Sequence, residues 1–64
     1  MKNKIKELRK LNGMRQEDLA KELGVSRQTI NAIENDKYNP TLELAMRLAR
    51  YLDTAVENIF ILEE

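Results

Sequence analysis

Turn-forming residues interrupt the helical pattern of this chain so often that only short helices can form. Apolar residues recur three or four positions apart through most of the 64 residues, which is the spacing of one helix face. Residues 12–13, Gly24, 36–40 and 53–54 break the pattern. Two glycines and one proline are too few for an all-β protein, which needs a turn about every 8–12 residues. The sequence therefore predicts one all-α domain over 1–64, built from five helices.

Several residues mark where the predicted helices begin and end. Gly24 stands where a left-handed C-cap would end the second helix. Ser26 and Thr41 are good N-caps for the third and fourth helices. Thr54, with Glu57 three residues later, predicts a capping box for the fifth. The positions predicted to face the core share helical spacing and are Ile5, Leu8, Leu11, Leu19, Ala20, Leu23, Ile30, Ile33, Leu42, Leu44, Ala45, Leu48, Ala49, Leu52, Val56, Ile59 and Phe60.

The composition excludes several kinds of chemistry. Cysteine and histidine are both absent, so the chain can build no disulfide, zinc site of the usual type, thiol nucleophile or imidazole base. The longest apolar run, 59–62, is far shorter than the roughly 20 residues that span a bilayer. We therefore expect a cytoplasmic protein that is not an enzyme and needs no cofactor or metal. Sixty-four residues also leave no room for a ligand-sensing domain.

Residues 16–30 read as two helices joined by a tight turn. Ala20 is small enough to let the helices approach closely, and Gly24 can reverse the chain without a Cβ clash. Val25 and Ile30 would fill the space between the helices. This is helix-turn-helix geometry, covering about 16–35, in which the second helix is presented to the major groove of DNA.

Five short strings together resemble one known family. They are IKELR at 5–9, QEDLA at 16–20, VSRQTI at 25–30, IEN at 33–35 and YNPTL at 38–42. The chain resembles, from about Ile5 to Phe60, the helix-turn-helix repressors of the lambda repressor and Cro class, also called the Xre type. The resemblance implies a prokaryotic or phage protein found at the nucleoid. It also implies a five-helix domain that binds double-stranded DNA as a two-fold dimer and reads it with the third helix.

The outer face of the third helix carries the side chains expected to read bases. With Ile30 and Ile33 turned inward, the opposite arc holds Arg27, Gln28 and Asn31. An arginine can bind guanine through two hydrogen bonds, and glutamine or asparagine can do the same for adenine. The alternative is that this polar face is an ordinary solvated surface.

A second group of residues is expected to bind phosphates or to position the protein on the DNA backbone. Ser26 would act both as a cap and as a donor, while Thr29 could equally pack at the edge of the core. The resemblance implies backbone contacts for Gln16 and for the loop after the third helix. The full group is Arg15, Gln16, Ser26, Thr29, Asn35, Lys37 and Tyr38.

Four positions lead to structural predictions. The resemblance implies a partly buried ion pair between Arg9 and Glu34 that positions the third helix. Arg15 replaces the serine or threonine that usually caps the second helix, and we expect it to add a phosphate contact at the cost of the cap. Asp36 replaces a glycine that ends the third helix, and aspartate is one of the few residues that tolerate a left-handed conformation.

The C-terminal segment predicts a dimer interface. Ile59, Phe60, Ile61 and Leu62 are consecutive, so a single helix face cannot bury all of them, and an exposed apolar cluster often marks an interface. We expect a homodimer formed by about 55–64, with room for a short strand there. The net charge of zero divides into +3 for residues 1–40 and −3 for residues 41–64, so the predicted DNA-binding half is the basic one.

These patterns favour a DNA-binding transcriptional regulator that would block or recruit polymerase. The simplest form of it is a repressor of a palindromic operator. Without a sensor domain, control would come from its concentration or from a partner protein. The alternative is an antitoxin-type module of the same fold, whose main contact is another protein. An enzyme is the weakest hypothesis, because the sequence offers no nucleophilic side chain that can be paired with a general base.

Overall fold

The protein folds into five helices closed by one pair of short strands. A computed structural model describes residues 1–63, and Glu64, the last residue of the predicted dimerisation region, lies outside them. The helices are α1 (Ile5–Leu11), α2 (Gln16–Leu23), α3 (Arg27–Glu34), α4 (Leu42–Tyr51) and α5 (Val56–Ile59). Strands β1 (Lys2–Asn3) and β2 (Phe60–Ile61) pair antiparallel, with Lys2 opposite Ile61 and Asn3 opposite Phe60. The predicted all-α domain and the short C-terminal strand are both confirmed.

Every helix contributes to a single core. The most deeply buried side chains come one or two from each helix and are Ile5, Leu19, Ile30, Ile33, Leu48 and Ile59. Burial of a side chain of this size stabilises the fold by about 1.5–3 kcal/mol. Leu8, Met14, Val25, Ala49 and Phe60 are partly buried and pack against this cluster.

Two residues predicted to be in the core are instead exposed. Leu11 is 82% exposed, because helix positions advance by about 100° and steps of three drift away from the face of Ile5. Arg9, four residues after Ile5, takes the buried position. Leu42 is 74% exposed, since it lies about 160° around α4 from buried Leu44. The prediction was therefore wrong for Leu11 and Leu42.

Side-chain caps begin α3 and α4 as predicted, but not α5. The Ser26 hydroxyl accepts a hydrogen bond from the Thr29 amide at 3.1 Å, and the Thr41 hydroxyl accepts one from the Leu44 amide at 3.2 Å. The capping box predicted at Thr54 is wrong, because the N-cap of α5 is Ala55. The Thr54 hydroxyl donates backwards to the Leu52 carbonyl at 2.9 Å, so this side chain helps to finish α4.

Left-handed residues end four of the helices. Gly24 has φ 69° and ψ 30°, as predicted for the end of α2, and Gly13 follows α1 with φ 67°. Asp36 takes φ 62° after α3, and Asp53 takes φ 50° after α4. After Asp36 the Lys37 amide donates to the Ala32 carbonyl at 2.9 Å, which completes a Schellman motif. Aspartate therefore does at two helix ends what glycine does at the other two.

A buried ion pair fixes α3 against α1. Arg9 Nε donates to Glu34 Oε2 at 2.7 Å, and Arg9 Nη2 donates to Oε1 at 3.2 Å. The two side chains are only 8% and 2% exposed. Arg9 Nη1 also donates to the Met14 carbonyl at 2.8 Å, and Gln16 Nε2 donates to Glu34 Oε1 at 3.1 Å. The pair implied by the resemblance is present, and it is tied to α2 as well.

We predict that Arg9→Ala destabilises the domain strongly. The substitution leaves the Glu34 carboxylate buried without its charge partner, which typically costs about 3–5 kcal/mol. Urea denaturation of the wild type and the variant would measure the change in the free energy of unfolding. Lys10→Ala, at the exposed neighbouring position, is the control and should have little effect. A loss for Arg9→Ala no larger than that of the control would contradict the prediction.

Candidate nucleic-acid interface

The turn between α2 and α3 holds these helices in a fixed relation. The Val25 amide donates to the Ala20 carbonyl at 3.0 Å across the left-handed Gly24. A Cβ at Gly24 would meet no atom within 4 Å, so the glycine is needed here for its positive φ and not for space. Ala20 is buried where the helices meet, and Val25 packs against the core beside Ile30. The chain thus has the predicted helix-turn-helix geometry.

The turn presents a polar face of α3 to solvent. Arg27, Gln28 and Asn31 are all exposed and line one shallow surface depression. Ile30 and Ile33, on the opposite side of the same helix, are buried. The structure therefore brings together the three side chains predicted to read bases, with none of them drawn into the core.

Three of the predicted backbone-positioning residues are used in the termini of α3. Ser26 Oγ lies 2.9 Å from Thr29 Oγ1, in addition to capping the helix through the Thr29 amide. Thr29 is half-buried, and its hydroxyl lies beside the cap. Asn35 Nδ2 donates to the Asn31 carbonyl at 2.9 Å and satisfies a carbonyl at the last turn. These three polar side chains therefore stabilise the two ends of α3 through hydrogen bonds.

The loop that follows α3 carries the remaining residues of that group. Lys37 and Tyr38 are both exposed, with Tyr38 46% accessible. They follow Asp36 directly, so the left-handed turn sets the direction in which they leave the helix. Exposed lysine and tyrosine side chains are both suitable donors to phosphate oxygens.

Gln16 makes a contact inside the domain in addition to the role that the resemblance implies. Its side chain is half-buried at the start of α2, and its amide nitrogen donates to the Glu34 carboxylate. The side chain is therefore tethered to the ion pair between α1 and α3. The sequence pattern held no sign of this contact, because Gln16 and Glu34 are 18 residues apart and meet only in the folded chain.

Arg15 begins α2 without a side-chain cap. Its side chain is 75% exposed and lies beside two carboxylates, with Nη1 3.1 Å from Glu17 Oε1 and Nε 3.3 Å from Asp18 Oδ2. Asp18 Oδ2 also accepts a hydrogen bond from the Arg15 backbone amide at 2.9 Å. This is one of the two hydrogen bonds of a capping box, the one in which the side chain in the first turn accepts from the N-cap amide. This backbone hydrogen bond, and then the Arg15 side chain, lower the pKa of Asp18. The hydrogen bond to Asp18, followed by the charges of Asp18 and Glu17, raises the pKa of Arg15.

Asn3 is a contact residue that the sequence did not reveal. Its Nδ2 donates to the Ile33 carbonyl at 2.7 Å and to Asp36 Oδ1 at 3.2 Å. Asn3 precedes the first helical segment, so neither periodicity nor capping patterns draw attention to it. It connects the N-terminal strand to the end of α3.

The terminal patch is the exposed apolar surface made by Met1, Val56, Phe60, Ile61 and Leu62. Leu62 is 72% exposed, while Ile61 and Met1 are close to 40%. Ile59 is excluded from this surface, because the last turn of α5 buries its side chain completely. Its carbonyl also accepts the Lys4 amide at 2.8 Å. The expectation that Ile59 contributes its side chain to a dimer interface is therefore wrong, whereas its three successors remain accessible.

The helices and carboxylates offer two further observations. Across residues 1–63, each helix is too short or too polar to pass through a bilayer. Within the same residues, Asp and Glu side chains form no group of three suited to a metal ion.

Comparison with known proteins gives the same assignment over almost the whole chain. The Helix-turn-helix family model matches residues 5–59. An HTH-type transcriptional regulator of Methanocaldococcus jannaschii is 56% identical over 64 residues, which cover all of this chain and 97% of the relative. The regulator YgzD of Bacillus subtilis is 47% identical over 64 residues, with the same coverage of both chains. A regulator of Archaeoglobus fulgidus is 48% identical, covering all of this chain and 90% of the relative.

The match extends through all five helices and includes both the turn at Gly24 and the ion pair of Arg9 and Glu34. It confirms the resemblance to the lambda repressor and Cro class and the expectation that the chain is not an enzyme. The chain belongs to the helix-turn-helix family of the Xre and lambda repressor type, a class of DNA-binding transcriptional regulators.

Proposed function

We propose that this protein is a repressor that binds a palindromic operator as a homodimer, with α3 of each copy in the major groove. The observation that carries the proposal is the face formed by Arg27, Gln28 and Asn31, which the turn at Gly24 and the core hold outward. Bound at a promoter, such a dimer would exclude polymerase from the DNA that it covers.

The proposed readout uses the chemistry of the major groove. The Arg27 guanidinium can donate to both O6 and N7 of guanine, and the amide of Gln28 or Asn31 can pair with N6 and N7 of adenine. Each well-formed pair contributes about 1–3 kcal/mol of discrimination against a wrong base. Three such side chains within little more than one turn of helix suit a half-site of a few base pairs.

Contacts to the DNA backbone would then fix the register of α3. Exposed donors flank its two ends, with Ser26 at the N-terminus and Asn35, Lys37 and Tyr38 at the C-terminus. Arg15 begins α2, next to Gln16, which contacts the last residue of α3. Gln16, tethered to Glu34, would offer its second amide proton. Thr29 would support Ser26 through their shared hydrogen bond. The excess of three positive charges over residues 1–40 favours approach to phosphate by this side of the molecule.

The terminal patch supplies the proposed dimer interface. Phe60, Ile61 and Leu62 follow one another at the edge of the fold, and an exposed apolar cluster on so small a domain favours association. A two-fold dimer formed at this patch would have to place its two α3 helices about 34 Å apart, on successive major-groove faces. Because β2 is an exposed edge at the patch, pairing or packing of the two copies would also cover it.

A second candidate function has an observation of its own. Leu42 and Met46 are exposed on the outer face of α4 and line a groove with Glu43, Arg47 and Arg50. This surface is separate from the face of α3, and it supports the alternative of an antitoxin-type module that binds another protein. Co-purification of a neighbouring gene product with the protein would favour that alternative. Salt-dependent footprinting on the DNA upstream of its own gene would favour the repressor.

The base-reading face predicts a specificity defect for Gln28→Ala. The variant should lose about 1–3 kcal/mol of discrimination at one base position of each half-site. It should keep the affinity for unrelated DNA, because the substitution removes no charge. Selection of operator sequences from a random pool, followed by titration, would measure this. Asn58→Ala, on the exposed side of α5, is the control. Unaltered base preference in Gln28→Ala would remove this side chain from the readout.

The proposed phosphate contact predicts two effects of Arg15→Thr. Threonine can accept the Asp18 amide as an N-cap, so the melting temperature should rise. One phosphate contact fewer should make the plot of log affinity against log salt shallower by about 0.9. Arg50→Thr, at an exposed position of α4 outside the helix-turn-helix, removes the same charge and should leave the slope unchanged. Equal slopes for wild type and Arg15→Thr would rule out the contact.

The dimer predicts that Ile61→Asp yields monomers. A carboxylate buried in the interface would be desolvated without a partner, so association should be lost and affinity for a palindromic site should fall. Light scattering gives the mass directly. Leu11→Asp tests the same change at a more exposed apolar residue outside the terminal patch, and it should remain dimeric. A dimeric Ile61→Asp protein would place the interface elsewhere.

A further inference from the structure

We infer that Asn3 is a positioning residue that sets the orientation of α3 relative to the terminal patch, and thereby the half-site spacing that a dimer accepts. The inference rests on the proposed function, since it assumes a dimer formed at the terminal patch and base reading by α3. It concerns a residue outside the helix-turn-helix, in the N-terminal strand.

One side of the link runs from Asn3 to the end of α3. The amide nitrogen donates to the Ile33 carbonyl at 2.7 Å, a short hydrogen bond to a helix end. The same nitrogen donates to Asp36 Oδ1 at 3.2 Å, at the residue whose left-handed backbone ends the helix. The Ile33 carbonyl also accepts the Asp36 backbone amide at 3.1 Å, and its second lone pair is available for the Asn3 side chain. Asn3 thus holds both the last turn of α3 and the residue that ends it.

The other side of the link runs from Asn3 to the terminal patch. Asn3 is paired with Phe60 in the two-stranded sheet, and Phe60 lines the patch. The amide of the next residue, Lys4, donates to the Ile59 carbonyl at 2.8 Å. Asn3 Oδ1 accepts the Ile5 amide at 3.1 Å, which fixes the side chain at the start of α1. Asn3 therefore connects the proposed dimer surface directly to α3.

This arrangement has a geometric consequence for a dimer on DNA. The spacing of two half-sites is set by the position of each recognition helix relative to the two-fold axis. In this chain the path from that axis through the patch to α3 passes through β2, Asn3 and the Ile33 carbonyl. The core also holds α3, so loss of the link should loosen its angle without unfolding the domain.

Asn3→Asp breaks the link selectively. The new side chain keeps an oxygen for the Ile5 amide but has no donor for the Ile33 carbonyl, and it places a second carboxylate beside Asp36. Because α3 is then held less firmly relative to the terminal patch, affinity for the palindromic operator should fall. Affinity for a single half-site should change little. The penalty for adding or removing one base pair between half-sites, strong in the wild type, should become small.

Two further variants separate positioning from stability. Lys2→Ala, on the same strand, removes only an exposed contact with Glu63 at 3.6 Å and should keep the wild-type spacing preference. The Asn3→Asp/Asp36→Asn double variant exchanges donor and acceptor at the second contact and should recover part of that preference. If Asn3→Asp does not fold, Asn3→Ser replaces it, since serine can serve the Ile5 amide but is too short to reach Ile33.

The measurements are titrations with a palindromic operator, with the same operator lengthened or shortened by one base pair, and with one half-site. A relaxed spacing preference in Asn3→Asp supports the inference. A melting temperature lowered with the spacing preference intact overturns it, because Asn3 would then be a structural residue only. A wild-type protein that binds one half-site as tightly as the palindrome would instead overturn the proposed function.

Discussion

The position of α3 depends on one pair of opposite charges buried between helices. The Arg9 and Glu34 side chains have lost nearly all contact with water, and each is the charge partner of the other inside the domain. The cost of removing them from water is recovered only when the Met14 carbonyl and the Gln16 amide are also in place. Three helices must therefore reach their final arrangement together. A displacement of α3 would leave a buried charge without its hydrogen bonds, so its orientation is held by electrostatics as well as by packing.

The features that the sequence predicted correctly depend on local chemistry. The left-handed turn at Gly24 and the caps at Ser26 and Thr41 follow from backbone preferences and from hydrogen bonds within three residues. Thr54 shows the limit of such local reasoning. The Thr54 hydroxyl could have capped α5, but in the structure it donates to the Leu52 carbonyl at the end of α4. Leu11 and Leu42 face outward because the direction of a side chain depends on its angle around the helix. Counting residues in threes gives that angle poorly after two steps.

Contacts between distant residues could not be predicted in the same way. Gln16 and Asn3 meet their partners across 18 and 30 residues, and nothing in a helical pattern indicates such a meeting. For the base-reading face the case was easier, because burial of Ile30 and Ile33 leaves only one arc of α3 for Arg27, Gln28 and Asn31. The sequence could thus predict which residues of α3 face outward. It could not predict how firmly α3 is tied to the two ends of the chain.

The pairing of β1 with β2 has a consequence for how the protein is made. Residues 2–3 leave the ribosome early, but their partners at 60–61 follow only after all five helices have been synthesised. The N-terminal strand must therefore wait without its hydrogen-bond partners while α1 to α4 emerge. Contacts between the neighbouring helices α2 and α3 can form during this time. The core is complete only when Ile59, which is fully buried in it, has also been synthesised, so a nascent chain stalled before that residue would hold a helix-turn-helix on an incomplete core.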